Sequence, residues 1–206
     1  MNYFAHARVA TAVGGGDALV LGAMLPDFAH MMGVRISGLE HPRLAEGTAL
    51  HRRTDAAFHT SPEFRRLLSA GIQDLGSAGL RRGPARGAAH VGLELLLDVA
   101  LAGDEAGDAG YLGALHAAPD LLGTIGWSDA CGASRWPRLH RRLLAAGLPS
   151  SESPPIAERV ARALASRPRL RLEPGERAPL ERWLAATAEP VSRAAPRLLG
   201  DTLAGL

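Results

Sequence analysis

A chain of 206 residues, 47% hydrophobic and 21% charged, can bury a core and does not have the composition of a disordered segment. Its 23 basic residues are all arginine, its formal charge is only +2, and 4% aromatic content without a long basic run leaves nucleic-acid binding without support. A single cysteine, Cys131, excludes an intramolecular disulfide and a multi-cysteine zinc site, and no run of about 18 uncharged apolar residues predicts a membrane span.

Ala, Leu and Arg dominate, β-branched residues are sparse and apolar positions recur at helical spacing, so the chain is expected to be all-α. Residues 2–12 read as a short helix ended by Gly14-Gly15-Gly16, and MNYFAHARVATAVGGG lacks the pattern of a signal peptide, which fits a cytoplasmic protein. Residues 17–32 are helical in pattern, but Pro26 predicts a break at Leu25-Pro26 with a new helix starting at Asp27. Residues 33–43, with Gly33, Gly38 and Pro42, read as loop, and helix resumes over 44–57. Thr60-Ser61-Pro62-Glu63 supplies a hydroxyl cap, a proline and an acid for a helix running to Leu75. A long apolar helix follows over 86–101, then a loop at 102–110 and helices near 111–123 and 135–146. The Pro/Ser-rich segment 147–155 reads as a linker, followed by helices at 156–166 and 177–199. The expected organisation is one all-helical, single-domain bundle, with a metal-site half at 1–101 and C-terminal helices at 102–206.

The chemistry concentrates in that first half. His90, Glu94 and Asp98 are spaced by four and share one face of a helix that is otherwise apolar. His51 and Asp55 repeat the spacing, and Asp27 stands in LGAMLPDFAH. Buried ionisable groups need a partner or a metal. Imidazole nitrogens and carboxylate oxygens suit Mn²⁺, Fe²⁺ or Zn²⁺, and Arg52, Arg53 and Arg86 offer guanidinium groups that match phosphate oxygens. The same residues equally form hydrogen-bonded pairs that hold helices in register. His6 and His30 read as structural or surface residues, His41 as exposed, and His59 as a helix-end residue or a support for a site. Trp127, Trp136 and Trp183 read as packing.

Taken in order, MNYFAHARVA, VLGAMLPDF and ALHRRTDAAFHTSPEF resemble the acyl-carrier-protein phosphodiesterase family, whose members begin MN-F-L-A-H and continue with G-N-L-x-x-D-F and H-R-x-I-D-x-x-T-D elements. RVARALASRPRL and APRLL extend the similarity. The resemblance implies an all-helical fold similar to a divergent HD-domain phosphohydrolase, and a divalent metal, typically Mn²⁺, that hydrolyses the phosphodiester joining 4′-phosphopantetheine to a serine of acyl carrier protein. It places Asp27 on the family aspartate, His51, Arg52 and Asp55 on the H-R-x-x-D element, and His90 and Glu94 where the family has two aspartates. The sequence departs from the family at Leu95, where the family has histidine, and at His59-Thr60, where it has T-D.

The expectation is therefore a metal-dependent phosphoesterase. Asp27, His51, His90 and Glu94 hold the metal, with Mn²⁺ ahead of Fe²⁺ or Zn²⁺. Asp55, Arg52 and Arg86 complete the catalytic set: Asp55, like Asp98, orients the histidines, and the arginines bind phosphate. The partner is acyl carrier protein or a small phosphodiester, with no nucleic acid. The alternative is a non-catalytic helical protein of the same fold whose polar residues form a structural network.

Overall fold

The structure is a computed structural model and describes residues 1–152 and 155–206. Among the described residues it is all-α: nine helices and one two-stranded ribbon. In chain order these are α1 (Tyr3–Ala12), α2 (Asp17–Met32), β1 (Ile36–Leu39), α3 (Pro42–Thr60), α4 (Pro62–Ser77), α5 (Arg82–Leu101), α6 (Glu105–Leu121), β2 (Ile125–Trp127), α7 (Ala130–Ala146), α8 (Ile156–Leu164) and α9 (Arg177–Ala204). No helix is long and apolar enough to cross a membrane, among the described residues.

The chain forms two compact units that interleave along the sequence. One comprises Met1–Ala57, Ala102–Pro149 and Gly205–Leu206, the other Phe58–Leu101 and Ser150–Ala204. Each thus draws on both halves of the sequence reading. The third crossing falls inside the segment 147–155 expected as a linker, of which 153–154 lie outside the described residues.

In the first unit α1, α2 and α6 pack on one another, with α7 against α2. Their fully buried side chains include Phe4, Leu21, Phe28, Tyr111, Leu115 and Trp136, and Tyr111 meets the Phe4 ring edge-on with centroids 5.1 Å apart. β1 and β2 pair antiparallel, with Ile36 opposite Trp127 and Leu39 opposite Ile125. The segment 33–43 expected as loop thus holds a strand. Its partner lies far away in sequence, and two such short strands show no alternation that could announce them.

α2 and α3 approach at van der Waals contact because glycines face the crossing. A Cβ on Gly22 would lie 2.4 Å from the Leu44 carbonyl oxygen, and one on Gly47 would lie 2.2 Å from that of Leu19. The closeness also explains why α2 does not break at Pro26. Proline removes the N–H that would bond the carbonyl four residues back, that of Gly22. The Thr48 hydroxyl of α3 donates to that carbonyl instead, at 3.1 Å. The expected break is therefore corrected: α2 runs unbroken from Asp17 to Met32.

In the second unit α4, α5, α8 and α9 pack together around Phe58, Phe64, Leu75, Leu97, Leu180 and Leu198. Trp183 of α9 lies against two glycines: a Cβ on Gly71 of α4 or Gly92 of α5 would come within 2.7 or 2.8 Å of its ring. Gly92 sits between His90 and Glu94, so this contact fixes the height of α5 that carries them.

Other boundaries shift for local reasons. α5 begins at Arg82, with Gly83 and Pro84 inside its first turn, where proline is tolerated. α6 begins at Glu105, within the expected loop 102–110, because Asp104 caps it by accepting from the Gly107 N–H at 3.0 Å. α7 begins at Ala130 behind the Asp129 cap, which accepts from Cys131 N–H at 2.8 Å. Ser61 stands at the N-cap of α4 as expected, but makes no side-chain cap. Its hydroxyl donates to Asp201 of α9 at 3.0 Å.

Candidate metal centres

Among the described residues, two groups of three side chains bring metal-ligating atoms within 4.8 Å of one another: His6, Asp27 and His51 in the first unit, and His59, His90 and Glu94 in the second. The four ligands expected from sequence divide between them. Asp27 and His51 are completed by His6, and His90 and Glu94 by His59.

In the first group, His51 is buried in α3, and its Nδ1 lies 2.9 Å from the Ala23 carbonyl oxygen of α2. A carbonyl only accepts, so Nδ1 carries the proton and Nε2 keeps its lone pair. This bond exists because Gly22 and Gly47 let the two helices touch. The His6 ring of α1 stacks on His51 with centroids 3.8 Å apart. His6 is 1% exposed, and both its ring nitrogens are buried without a hydrogen bond of good geometry, although Nε2 comes within 3.2 Å of Asp55 Oδ1. Asp27, one turn along α2 from Ala23, has one carboxylate oxygen fully buried.

Asp55 stands beside this group. Its Oδ1 accepts from the N-terminal amine of Met1 at 2.7 Å, and its Oδ2 lies 3.6 Å from His51 Nε2. It comes within 3.2 Å of His6 Nε2 and so can orient that ring, whereas His51 is oriented by the Ala23 carbonyl. Burial pushes its pKa up, but the contact with His6 and the amine charge hold the carboxyl well below the usual range. Burial drives His6 down to about 4, against the opposing pull of Asp55, and it lowers His51 as well. Both imidazoles are therefore neutral at pH 7, the form that ligates metal.

The residues fit a divalent cation. A buried imidazole without a hydrogen bond of good geometry is destabilising by about 1–3 kcal/mol, and a cation would offset that. The His51 tautomer is already set for ligation. An open cleft of about 650 Å³ is lined by Pro26 and Arg52, the neighbours in sequence of Asp27 and His51, and by His30, Arg35, Val34 and Leu39, and not by the three candidate ligands themselves. Arg52 is exposed on α3 and its side chain is available to an anion in that cleft.

In the second group His90 and Glu94 lie one turn apart on α5, and His59 comes from the last turn of α3. Nε2 of His59 is 3.3 Å from Nε2 of His90, and Oε1 of Glu94 is 3.4 Å from the first and 3.1 Å from the second. The two rings stack with centroids 5.1 Å apart, and the buried Phe64 presents an edge-on contact to each. Burial opposes ionisation of Glu94, but the hydrogen bonds from His59 and His90 and the positive charge around it prevail and hold it well below the usual range. Arg86 is exposed one turn before His90, and Asp98 is fully buried one turn beyond Glu94.

Sequence reasoning assigned His6 and His59 to structural or supporting roles. His59 carried a signal, since it follows Asp55 by the same four residues that separate Asp55 from His51. His6 carried none, because its neighbours come from α2 and α3 through tertiary packing alone. Comparison with known protein families, curated proteins and solved structures finds no match to this chain.

Proposed function

We propose that this protein is a metal-dependent phosphoesterase whose first-unit cluster, His6, Asp27 and His51, holds the cation. The observation that carries the reading is the convergence of His6, Asp27 and His51 in one small space, together with the His51 tautomer, fixed by the Ala23 carbonyl so that Nε2 keeps its lone pair. The order of motifs in the sequence adds the substrate class: a phosphodiester such as that joining 4′-phosphopantetheine to a serine of acyl carrier protein, with Mn²⁺ as the metal. A divalent cation at such a site acts as a Lewis acid on a phosphoryl oxygen and lowers the pKa of water.

The chain's own residues do the rest. Asp55 holds the His6 imidazole through Nε2, and the Ala23 carbonyl holds that of His51 through Nδ1. Arg52 meets phosphate oxygens in the cleft, where a guanidinium can make paired hydrogen bonds. The apolar wall of Val34 and Leu39 suits the uncharged part of a phosphodiester.

A second reading is favoured by one observation: Asp55 already faces both His6 and His51, as a purely structural network would require. The protein would then be a non-catalytic helical module. Hydrolysis of holo acyl carrier protein and of bis(p-nitrophenyl) phosphate, with and without Mn²⁺, separates the two. The phosphoesterase reading expects Mn²⁺-dependent turnover with at least one substrate, lost in Asp27→Asn and reduced in Arg52→Ala. No turnover with either substrate under any divalent metal, or undiminished turnover in Asp27→Asn, overturns it.

A further inference from the structure

In the second cluster three ligand atoms from two helices converge on one small space. Nε2 of His59, Nε2 of His90 and Oε1 of Glu94 form a nearly equilateral triangle with edges of 3.1, 3.3 and 3.4 Å. Hydrogen bonds between an ionised carboxylate and imidazolium draw in to about 2.7–2.9 Å. The 3.1 Å edge between Glu94 and His90 falls within the range of an ordinary N–H···O bond, and the 3.4 Å edge between Glu94 and His59 lies beyond it. Two imidazoles facing each other through Nε2 also share room for only one proton along their line.

A tetrahedral cation accounts for the triangle. With metal–ligand distances of about 2.0–2.1 Å, the edge between two ligands of a tetrahedral ion is about 3.3–3.4 Å, whereas cis ligands of an octahedral ion of the same size sit about 2.9 Å apart. The two edges to His59, at 3.3 and 3.4 Å, match the tetrahedral value, and the 3.1 Å edge between His90 and Glu94 lies between the two geometries. Two imidazoles and one carboxylate are also the donor set of zinc-class ions, not of Mg²⁺ or Ca²⁺, which take oxygen. Phe64 fixes both rings edge-on, so their directions are set by packing before any ion arrives. The side chains of His59 and His90 are 34% and 38% exposed while Glu94 is 15% exposed, so the fourth coordination position opens to solvent.

We infer that His59, His90 and Glu94 form a separate site for a zinc-class divalent cation, with three protein ligands and one open position. It stands independently of the phosphoesterase reading, which rests on His6, Asp27 and His51.

Cobalt tests it, because four-coordinate Co²⁺ absorbs visible light far more strongly than six-coordinate Co²⁺. The full-length protein, stripped with chelator, is titrated with Co²⁺ and then with Zn²⁺ in competition. Four chains are compared: wild type, His51→Ala, His90→Ala/Glu94→Gln and His59→Ala, each with its helical circular dichroism recorded. The wild type and His51→Ala are expected to develop the four-coordinate spectrum and lose it to Zn²⁺. Both second-unit variants should lose it, with affinity down more than about 100-fold, beyond the loss expected from removing a merely supporting group. His59 comes from a different helix than His90, so either variant that stays helical decides the matter. A four-coordinate spectrum that survives in a folded second-unit variant overturns the inference, as does its absence from wild type. Loss in His51→Ala alone would assign the tetrahedral ion to the first cluster instead.

Discussion

Removing the buried imidazole of His6 should remove a defined part of the protein's acid sensitivity. His6 is held down to about 4 in the folded state against 6.5 in an unfolded chain. Its folded pKa is depressed, so between those values the unfolded chain binds the proton and the folded one does not, and stability falls as pH drops. Each unit of pH below 6.5 then costs about 1.4 kcal/mol per histidine of this kind. Between pH 8 and pH 5 the loss from His6 comes to about 2 kcal/mol. His51 is lowered too and contributes with the same sign. The depressed carboxyl of Asp55 also destabilises on acidification, but only as pH falls below its unfolded value of 3.8, outside that window. Urea unfolding of the metal-free protein, followed by circular dichroism at pH 8 and pH 5, measures the difference. In wild type the stability should drop by about 2 kcal/mol or more, and in His6→Leu by about 2 kcal/mol less than in wild type. An equal drop in the two proteins would refute the claim that His6 is buried and neutral.

Gly47→Ala should destabilise by about 1–3 kcal/mol and weaken metal binding by the first cluster, because a Cβ 2.2 Å from the Leu19 carbonyl forces α3 away from α2 and pulls His51 off Ala23; denaturant midpoints and metal titration read the two effects. Thr48→Val should cost about 1–2 kcal/mol in thermal unfolding, since it leaves the Gly22 carbonyl without the donor that replaces the missing Pro26 N–H. Glu176, buried and held down to about 2 mainly by its bond from Arg81, accepts from the Arg81 backbone and side chain and from the Glu173 N–H, so Glu176→Ala should cost about 1–3 kcal/mol by the same measurement.

The helices were legible in the sequence because their signals are local: apolar spacing, caps and turn residues within a few positions of one another. What was misread was set by residues distant in sequence. Pro26 carries a real local signal for a break, and Thr48 in the next helix cancels it. The segment 33–43 holds a strand whose partner begins at Ile125. Ser61 has the residue type of a cap, and Asp201 takes its hydroxyl. In each case the local preference, about 1 kcal/mol for a cap and about 3 kcal/mol for an interior proline, is overridden by tertiary hydrogen bonds and packing together.

The two clusters divide along the same line. Spacing by four on a helix identifies two ligands at a time, and it found His90 with Glu94 and His51 with Asp55. A helix face cannot by itself surround an ion, because its side chains all project to one side. The third donor must come from another element: His6 from α1, Asp27 from α2, or His59 from the end of α3. Which element supplies it depends on close packing, here on Gly22 against Leu44 and on Phe64 against two imidazoles. Sequence spacing therefore finds the ligand pair His90 and Glu94 but only one ligand, His51, of the first cluster, and the glycines and the phenylalanine that complete the sites carry no metal-site signature of their own. For the same reason Asp98, which continues the series at the next turn of α5, belongs to neither cluster: it is fully buried, in the part of the helix that faces core.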